Sequence, residues 1–144
     1  MTGVRDLSMK KKLIAILVGS AIFAITTCYL QFGRNMDVVN SFSLNSSNYK
    51  EENISVILNK LIVTESKENI AESIIQHVLD NDFHTIRFSF DGGYPNKLIV
   101  SVYKSKKSLE SDDILFYFSY EQSGGEIGIY DISQPEHMKL NISD

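Results

Sequence analysis

The longest apolar run in the chain covers residues 13–32 and follows three consecutive lysines, residues 10–12. At about 1.5 Å per residue, such a run forms a helix of about 30 Å, which matches the hydrocarbon core of a bilayer. No face of this helix is polar, which argues against a core helix of a soluble protein. The pattern predicts a transmembrane signal anchor at residues 13–32, after a cytoplasmic basic leader at residues 1–12.

Two other interpretations of the same run remain open. Residues 25–28 resemble a lipobox, which would make Cys28 a lipidation site and the chain a lipoprotein. Thr27, just before Cys28, is larger than the residue usual before a lipidated cysteine, and the bulky Tyr29 comes directly after Cys28. Cleavage of a secretory signal peptide near residues 24–27 is the third interpretation, although a clear A-x-A site is missing. All three interpretations export the rest of the chain.

The pattern after the apolar run changes twice before any strand is predicted. Residues 33–52 lack sustained periodicity and are rich in Asn and Ser, so we predict a linker. Residues 53–63 place apolar side chains at helical spacing behind Asn53, a possible cap, and predict a first helix. Residues 66–81 predict a second helix, with Ser66 as its N-cap and Glu68 in its first turn.

From residue 84 onward the apolar period becomes two, which is typical of strands. Strands are predicted at residues 84–90, 97–104, 113–121 and 126–132, and the tail near residues 138–142 could form another. The fold class is therefore α+β: an N-terminal membrane-anchor helix, then one or two helices packed on a four-stranded antiparallel β-meander, in a domain of residues 53–144. The predicted core consists of Ile86, Phe88, Phe90, Val100, Val102, Phe116, Phe118, Ile127 and Ile129.

Charge and composition restrict the compartment and the partners. The net charge of the 144 residues is −4, but the first twelve residues carry +3 and the remainder −7. An acidic domain repels phosphate backbones, so we expect no nucleic-acid partner. The basic leader and the acidic domain fit opposite sides of a membrane, with the C-terminal domain extracytoplasmic. The abundance of Asn, Ile, Ser and Lys is typical of an AT-rich bacterial genome. The chain has a single cysteine, which excludes a disulfide within it.

No constellation for catalysis, metal or cofactor binding emerges from the residue spacing. His77, His84 and His137 lack ligand spacing, and no nucleophile motif is present, so no metal and no cofactor are expected. The least ordinary feature is Tyr103, Tyr117 and Tyr130, which alternate away from the predicted core. If they lie on three successive strands, they form either a binding platform or a surface covered by other parts of the fold.

Three functions follow from these features. The first is a membrane-anchored extracytoplasmic binding domain of the bacterial cell envelope, without catalysis, held in the lipid bilayer by residues 13–32 and directed at a protein or peptide partner. The second is a small structural subunit of an envelope secretion, conjugation or division complex, in which the spanning helix itself makes contacts. The third and weakest is an envelope enzyme using the carboxylates of Asp80, Asp82 or Asp91.

Overall fold

The computed structural model describes residues 3–143, and it divides the chain after Arg34 into two compact units. The first unit holds helix α1, Gly3–Phe32. Within it, Met9–Phe32 is long and apolar enough to cross a membrane. Thr26 and Thr27 donate their hydroxyls to the carbonyls one turn earlier, which satisfies them inside an apolar segment. The predicted apolar helix is thus confirmed.

The second unit begins at Asn35 and contains all of the sheet. Its elements in chain order are β1 Asp37–Ser46, β2 Tyr49–Ile57, α2 Lys67–Asp80, β3 Lys97–Tyr103, α3 Lys106–Glu110, β4 Phe116–Gln122, a single 3₁₀ turn Pro135–His137 and β5 Met138–Ser143. The strands follow one another across the sheet in the order of the chain. All neighbouring strands are antiparallel except β2 and β3, which are parallel.

The α+β class is confirmed, but the predicted four-stranded antiparallel meander is replaced by a mixed five-stranded sheet. The reason lies in the connection between β2 and β3. Parallel neighbours need a crossover long enough to return the chain to the starting end of the sheet, and α2 provides it. The β1–β2 hairpin and the β3–β4–β5 meander are therefore joined side by side through a β-α-β unit.

Residues 33–52, predicted as a linker, instead contain all of β1 and the start of β2. The turn of the hairpin is Ser47 and Asn48, so the Asn- and Ser-rich composition does mark a reversal. Strand residues on both sides of this turn are mostly polar, and residues 42–46 of β1 are exposed on both faces. Low hydrophobicity therefore hid a real strand pair.

The helix predicted at residues 53–63 is also wrong, because residues 49–57 form β2 and the chain then leaves the sheet. Ile54 and Val56 are buried on the core side of the strand, whereas Ile54, Ile57 and Leu58 lie at the spacing of a helix. A short apolar run satisfies both periods, and pairing with β1 and β3 decides between them. Asn59, with φ 56°, then turns the chain away in the left-handed region.

Helix α2 is confirmed with the cap that its sequence predicts. The Ser66 hydroxyl accepts a hydrogen bond from the amide of Asn69, and Glu68 lies in the first turn. The helix ends at Asn81, whose φ of 52° is left-handed and whose amide side chain bonds both the N–H and the carbonyl of Phe88.

That contact explains why residues 84–90 are not the strand that their alternation predicts. The buried backbone of Phe88 is satisfied by the side chain of Asn81, and Arg87 donates to the carbonyls of Asn81 and Phe83. The segment takes no place in the sheet. Its apolar side chains still face inward, which is why the period of two is present without a strand.

Residues 126–132 are likewise not a strand, and β5 pairs with β4 in their place, at the edge of the sheet. Gly128 has φ 88°, which an extended strand does not allow. Ile127 and Ile129 are 80% and 58% exposed, so two of the predicted core residues are wrong. Ile132 is fully buried and contributes to the core in their place.

The core lies between α2 and one face of the sheet. Five of the predicted members are buried: Phe88, Val100, Val102, Phe116 and Phe118. Ile86 and Phe90 pack against them at the margin. The apolar face of α2 adds Ile70, Ala71, Ile74, Ile75 and Val78.

Candidate functional site

A cleft of about 760 Å³ opens beside the β1–β2 hairpin, and we call it the hairpin cleft. One wall is the hairpin itself, the other is the segment 86–94, and residues 128–131 close one end. Its lining is dominated by hydroxyl and amide groups, with few apolar side chains. The hairpin contributes Ser41, Ser43, Asn45, Ser46, Ser47, Asn48, Tyr49, Lys50 and Glu52.

The most unusual group in the hairpin cleft is the carboxylate of Glu52. It is on the core-facing side of β2, in register with Leu98 of β3, and is only 3% exposed. Ser41 and Ser43 of β1 donate their hydroxyls to its two oxygens, one to each. Among the described residues no cationic side chain forms an ion pair with it.

Two polar side chains tie the opposite wall of the cleft to the hairpin. The ammonium of Lys50 donates to the carbonyls of Ser89 at 3.0 Å and Gly93 at 3.3 Å, and lies 5.5 Å from the centre of the Phe90 ring. The side-chain oxygen of Asn96 accepts a hydrogen bond from the backbone N–H of Lys50, and the backbone N–H of Asn96 donates to the Lys50 carbonyl. The cleft is therefore built by specific bonds and is not a gap between loops.

The end of the hairpin cleft depends on a glycine. A Cβ on Gly128 would lie 2.3 Å from the carbonyl oxygen of Asn48 in the hairpin turn, and the φ of Gly128 is 88°. Both the close approach and the positive φ require glycine. Asn96 supports the same end, because its side chain donates to the carbonyl of Tyr130.

The three tyrosines of the predicted platform are not on three successive strands. Tyr103 and Tyr117 share the sheet face that points away from the core, but Tyr103 is 6% exposed and Tyr117 is 46% exposed. Tyr130 lies outside the sheet and stacks on His137, with ring centroids 3.7 Å apart. The geometry thus brings two of the three residues to one face and leaves the third elsewhere.

The same open face carries a polar cluster at its other end. Lys97 and Glu121 form an ion pair of 2.7 Å between β3 and β4, and Ser119 and Asn141 donate to the other oxygen of Glu121. The bond from Lys97 lowers the pKa of Glu121, and it raises the pKa of Lys97 in turn. Tyr49 is adjacent, and burial together with the negative charge of Glu51 raises its pKa.

The remaining candidate residues have separate local partners. His77 bonds Asp82 at 2.6 Å beside a small cleft that also includes His84. Asp80 accepts from Gln76, and Asp91 accepts from Ser89. None of the three aspartates named for an enzyme lines the hairpin cleft. Cys28 is exposed on α1.

Glu52 was missed because it falls in the segment interpreted as a linker. One signal could have revealed it. Ser41, Ser43 and Asn45 alternate with Phe42 and Leu44 along β1, which is the period of two expected for a strand with one polar face. On the other side of an Asn-rich reversal, Glu52 is in phase with Ile54 and Val56, two and four residues later. A carboxylate in phase with core residues is the mark of an unusual site.

Comparison with protein-family models, with curated proteins and with solved structures found no match to this chain.

Proposed function

We propose that the chain is a membrane-anchored extracytoplasmic binding domain, without catalysis, whose hairpin cleft takes a small polar ligand. The observation that carries this proposal is a buried carboxylate at the floor of an open cleft lined by hydroxyls and amides. Ligand sites are concave, largely preformed and equipped with a few converging polar groups. The hairpin cleft has the volume of such a site, and its more polar lining suits a polar ligand.

Anchoring and orientation rest on the first unit. Met9–Phe32 has the length and composition of a spanning helix, and the lysines before it favour a cytoplasmic N-terminus. In a Cys28→Ser background, a cysteine replacing the exposed Lys104 should react with an impermeant maleimide on intact cells. A cysteine replacing Ser8 should react only after permeabilisation. The reverse pattern would contradict the proposed orientation.

Ligand binding is tested by blocking the hairpin cleft without touching its floor. The full chain in non-ionic detergent is screened by thermal shift against sugars, amino acids, amines and nucleosides. Asn45→Trp places a large side chain in the cleft from an exposed position of β1, and it should abolish the shift given by any true ligand. Leu44→Trp, on the opposite side of the same strand and 49% exposed, should leave that shift intact.

Two outcomes would refute a ligand site in the hairpin cleft. The first is that no polar compound shifts the melting temperature of the unaltered chain. The second is that Asn45→Trp retains every shift, which would place binding elsewhere on the protein.

A further inference from the structure

The carboxylate of Glu52 has hydrogen-bonding capacity that its protein neighbours do not fill. An ionised carboxylate offers about four acceptor positions on its two oxygens. Ser41 and Ser43 occupy one position on each oxygen. Both donors are neutral hydroxyls, so the negative charge has no counter-ion among the described side chains.

The two cations that line the hairpin cleft are committed elsewhere. Lys50 donates to two carbonyls of the opposite wall, at 3.0 and 3.3 Å. Arg87 donates to two carbonyls just after α2, at 2.8 and 2.6 Å. Both side chains therefore hold the segment 86–94 in place and leave Glu52 unpaired.

An unpaired charge is destabilising when it is buried in a protein, because it loses its hydration. Buried charges are found paired or coordinated, since pairing recovers part of the lost hydration. Glu52 is 3% exposed, yet it lines an open cleft, so a small cation entering the cleft can reach it. The half-buried Tyr94 lines the same cleft, and an aromatic ring also favours a cation.

We infer that the hairpin cleft recognises a ligand through a primary ammonium group that binds against Glu52. This inference rests on the function proposed above and adds the chemical class of the ligand. An ammonium brings three donors, enough to use the acceptor positions that Ser41 and Ser43 leave open. The hydroxyls and amides of Ser46, Ser47 and Asn48 at the hairpin turn suit a hydroxylated or amide-bearing body. An amino sugar and a lysine side chain share this chemistry.

The test compares probes that differ only in the ammonium. Glucosamine is paired with glucose, and Nα-acetyl-lysine methylamide is paired with its Nε-acetylated form. Affinities for the full chain in non-ionic detergent are measured by calorimetry at pH 7. In at least one pair the ammonium compound should bind at least about tenfold more tightly than its neutral twin. A tenfold ratio corresponds to about 1.4 kcal/mol, which one good ionic contact supplies. The pair that discriminates identifies the source of the ammonium.

Glu52→Gln keeps the shape of the side chain and removes its charge, so it should reduce the ratio within the discriminating pair to about one. Glu51→Gln is the matched control, because it makes the same change one residue away on the opposite face of β2. It should leave the ratio unchanged. If Glu52 serves only to hold β1 against β2, Glu52→Gln will change the melting temperature and leave any ratio intact.

Failure of the ammonium inference and failure of the proposed ligand site give different results. Equal affinity for both members of each pair, measured on the unaltered chain, overturns the ammonium inference even if Glu52→Gln does not fold. Binding of the neutral twins that is lost in Asn45→Trp would then still support the proposed cleft. Absence of binding by any probe or library compound overturns both proposals together.

Discussion

Replacing Gly128 by alanine tests the part of the fold that departs most from the sequence-based expectation. In the predicted strand 126–132 the backbone would be extended, and alanine would stabilise the strand by about 0.5–1 kcal/mol. In the structure Gly128 has φ 88°, and its Cβ would lie 2.3 Å from the carbonyl oxygen of Asn48. The two accounts therefore predict effects of opposite sign.

The magnitude follows from two separate contributions. A left-handed backbone costs an L-residue about 1–2 kcal/mol. The approach to Asn48 involves backbone, which cannot rotate away, and overpacking of this kind costs about 1–3 kcal/mol more. Gly128→Ala should therefore lower the free energy of unfolding by about 2–5 kcal/mol. With an m-value of about 2 kcal/mol/M, the urea midpoint falls by about 1–2.5 M.

Two nearby glycines separate the contributions. Gly124 has open space around its Cβ position and no positive φ, so Gly124→Ala should change stability by less than about 1 kcal/mol, in the stabilising direction. Gly125 has φ 84°, and the only close atom is the amide nitrogen of the Gln122 side chain at 3.3 Å. Gly125→Ala should therefore show the backbone cost alone, about 1–2 kcal/mol.

The assay is urea unfolding of the full chain in non-ionic detergent, followed by tyrosine fluorescence, since the chain has seven tyrosines and no tryptophan. The expected order of stability is Gly124→Ala, then Gly125→Ala, then Gly128→Ala. If Gly128→Ala is as stable as Gly124→Ala, the close approach to the hairpin turn does not exist, and the closed end of the hairpin cleft is refuted with it.

Three further predictions test the core, the open face and the N-terminus. In the same urea assay, Phe118→Ala, at a fully buried position, should lower the free energy of unfolding by about 3–5 kcal/mol. Ile127→Ala, at an 80% exposed position, should change it by less than about 0.5 kcal/mol, and similar losses in the two variants would contradict the described core. Lys97 lowers the pKa of Glu121 below its ordinary value of 4.5, so the contribution of Glu121 to folding stability is complete above that pH and is lost as the pH falls through the lowered pKa. Glu121→Gln should therefore flatten the decline of thermal stability below about pH 5. An unchanged decline would show that the ion pair contributes nothing to stability. Mass spectrometry of the membrane-extracted chain should find residues 1–27 retained and Cys28 unmodified if the apolar helix is an anchor, whereas a diacylglyceryl adduct on an N-terminal Cys28 would establish the lipoprotein.

Local chemistry was sufficient for several elements. The apolar helix follows from twenty residues without a charge, and α2 follows from Ser66, an apolar stripe and a break at its end. Strands β3 and β4 follow from alternation flanked by turn residues. In each of these, one segment carries its own period and its own stop signal, so no distant contact is needed to decide its structure.

The segments that the sequence misassigned are those whose structure depends on a partner. Residues 53–57 suit a helix or a strand equally, and pairing with β1 and β3 selects the strand. Residues 84–90 alternate like a strand, but the amide of Asn81 satisfies the backbone of Phe88 and keeps the segment out of the sheet. Similar alternation can therefore end in different structures, because backbone hydrogen bonds must be satisfied by whichever partner is closest.

The candidate site shows the same division. Sequence alone determined the apolar helix, the acidic character of the remainder and the residues available at the hairpin. It could not bring Glu52 to the floor of a cleft, since that position requires β1 with Ser41 and Ser43 on one side and β3 on the other. It also could not show that Lys50 bonds carbonyls of the opposite wall, or that Arg87 bonds carbonyls just after α2. The spacing of apolar residues along the chain indicates which side of an element is buried. Only tertiary packing decides which charged side chains find partners.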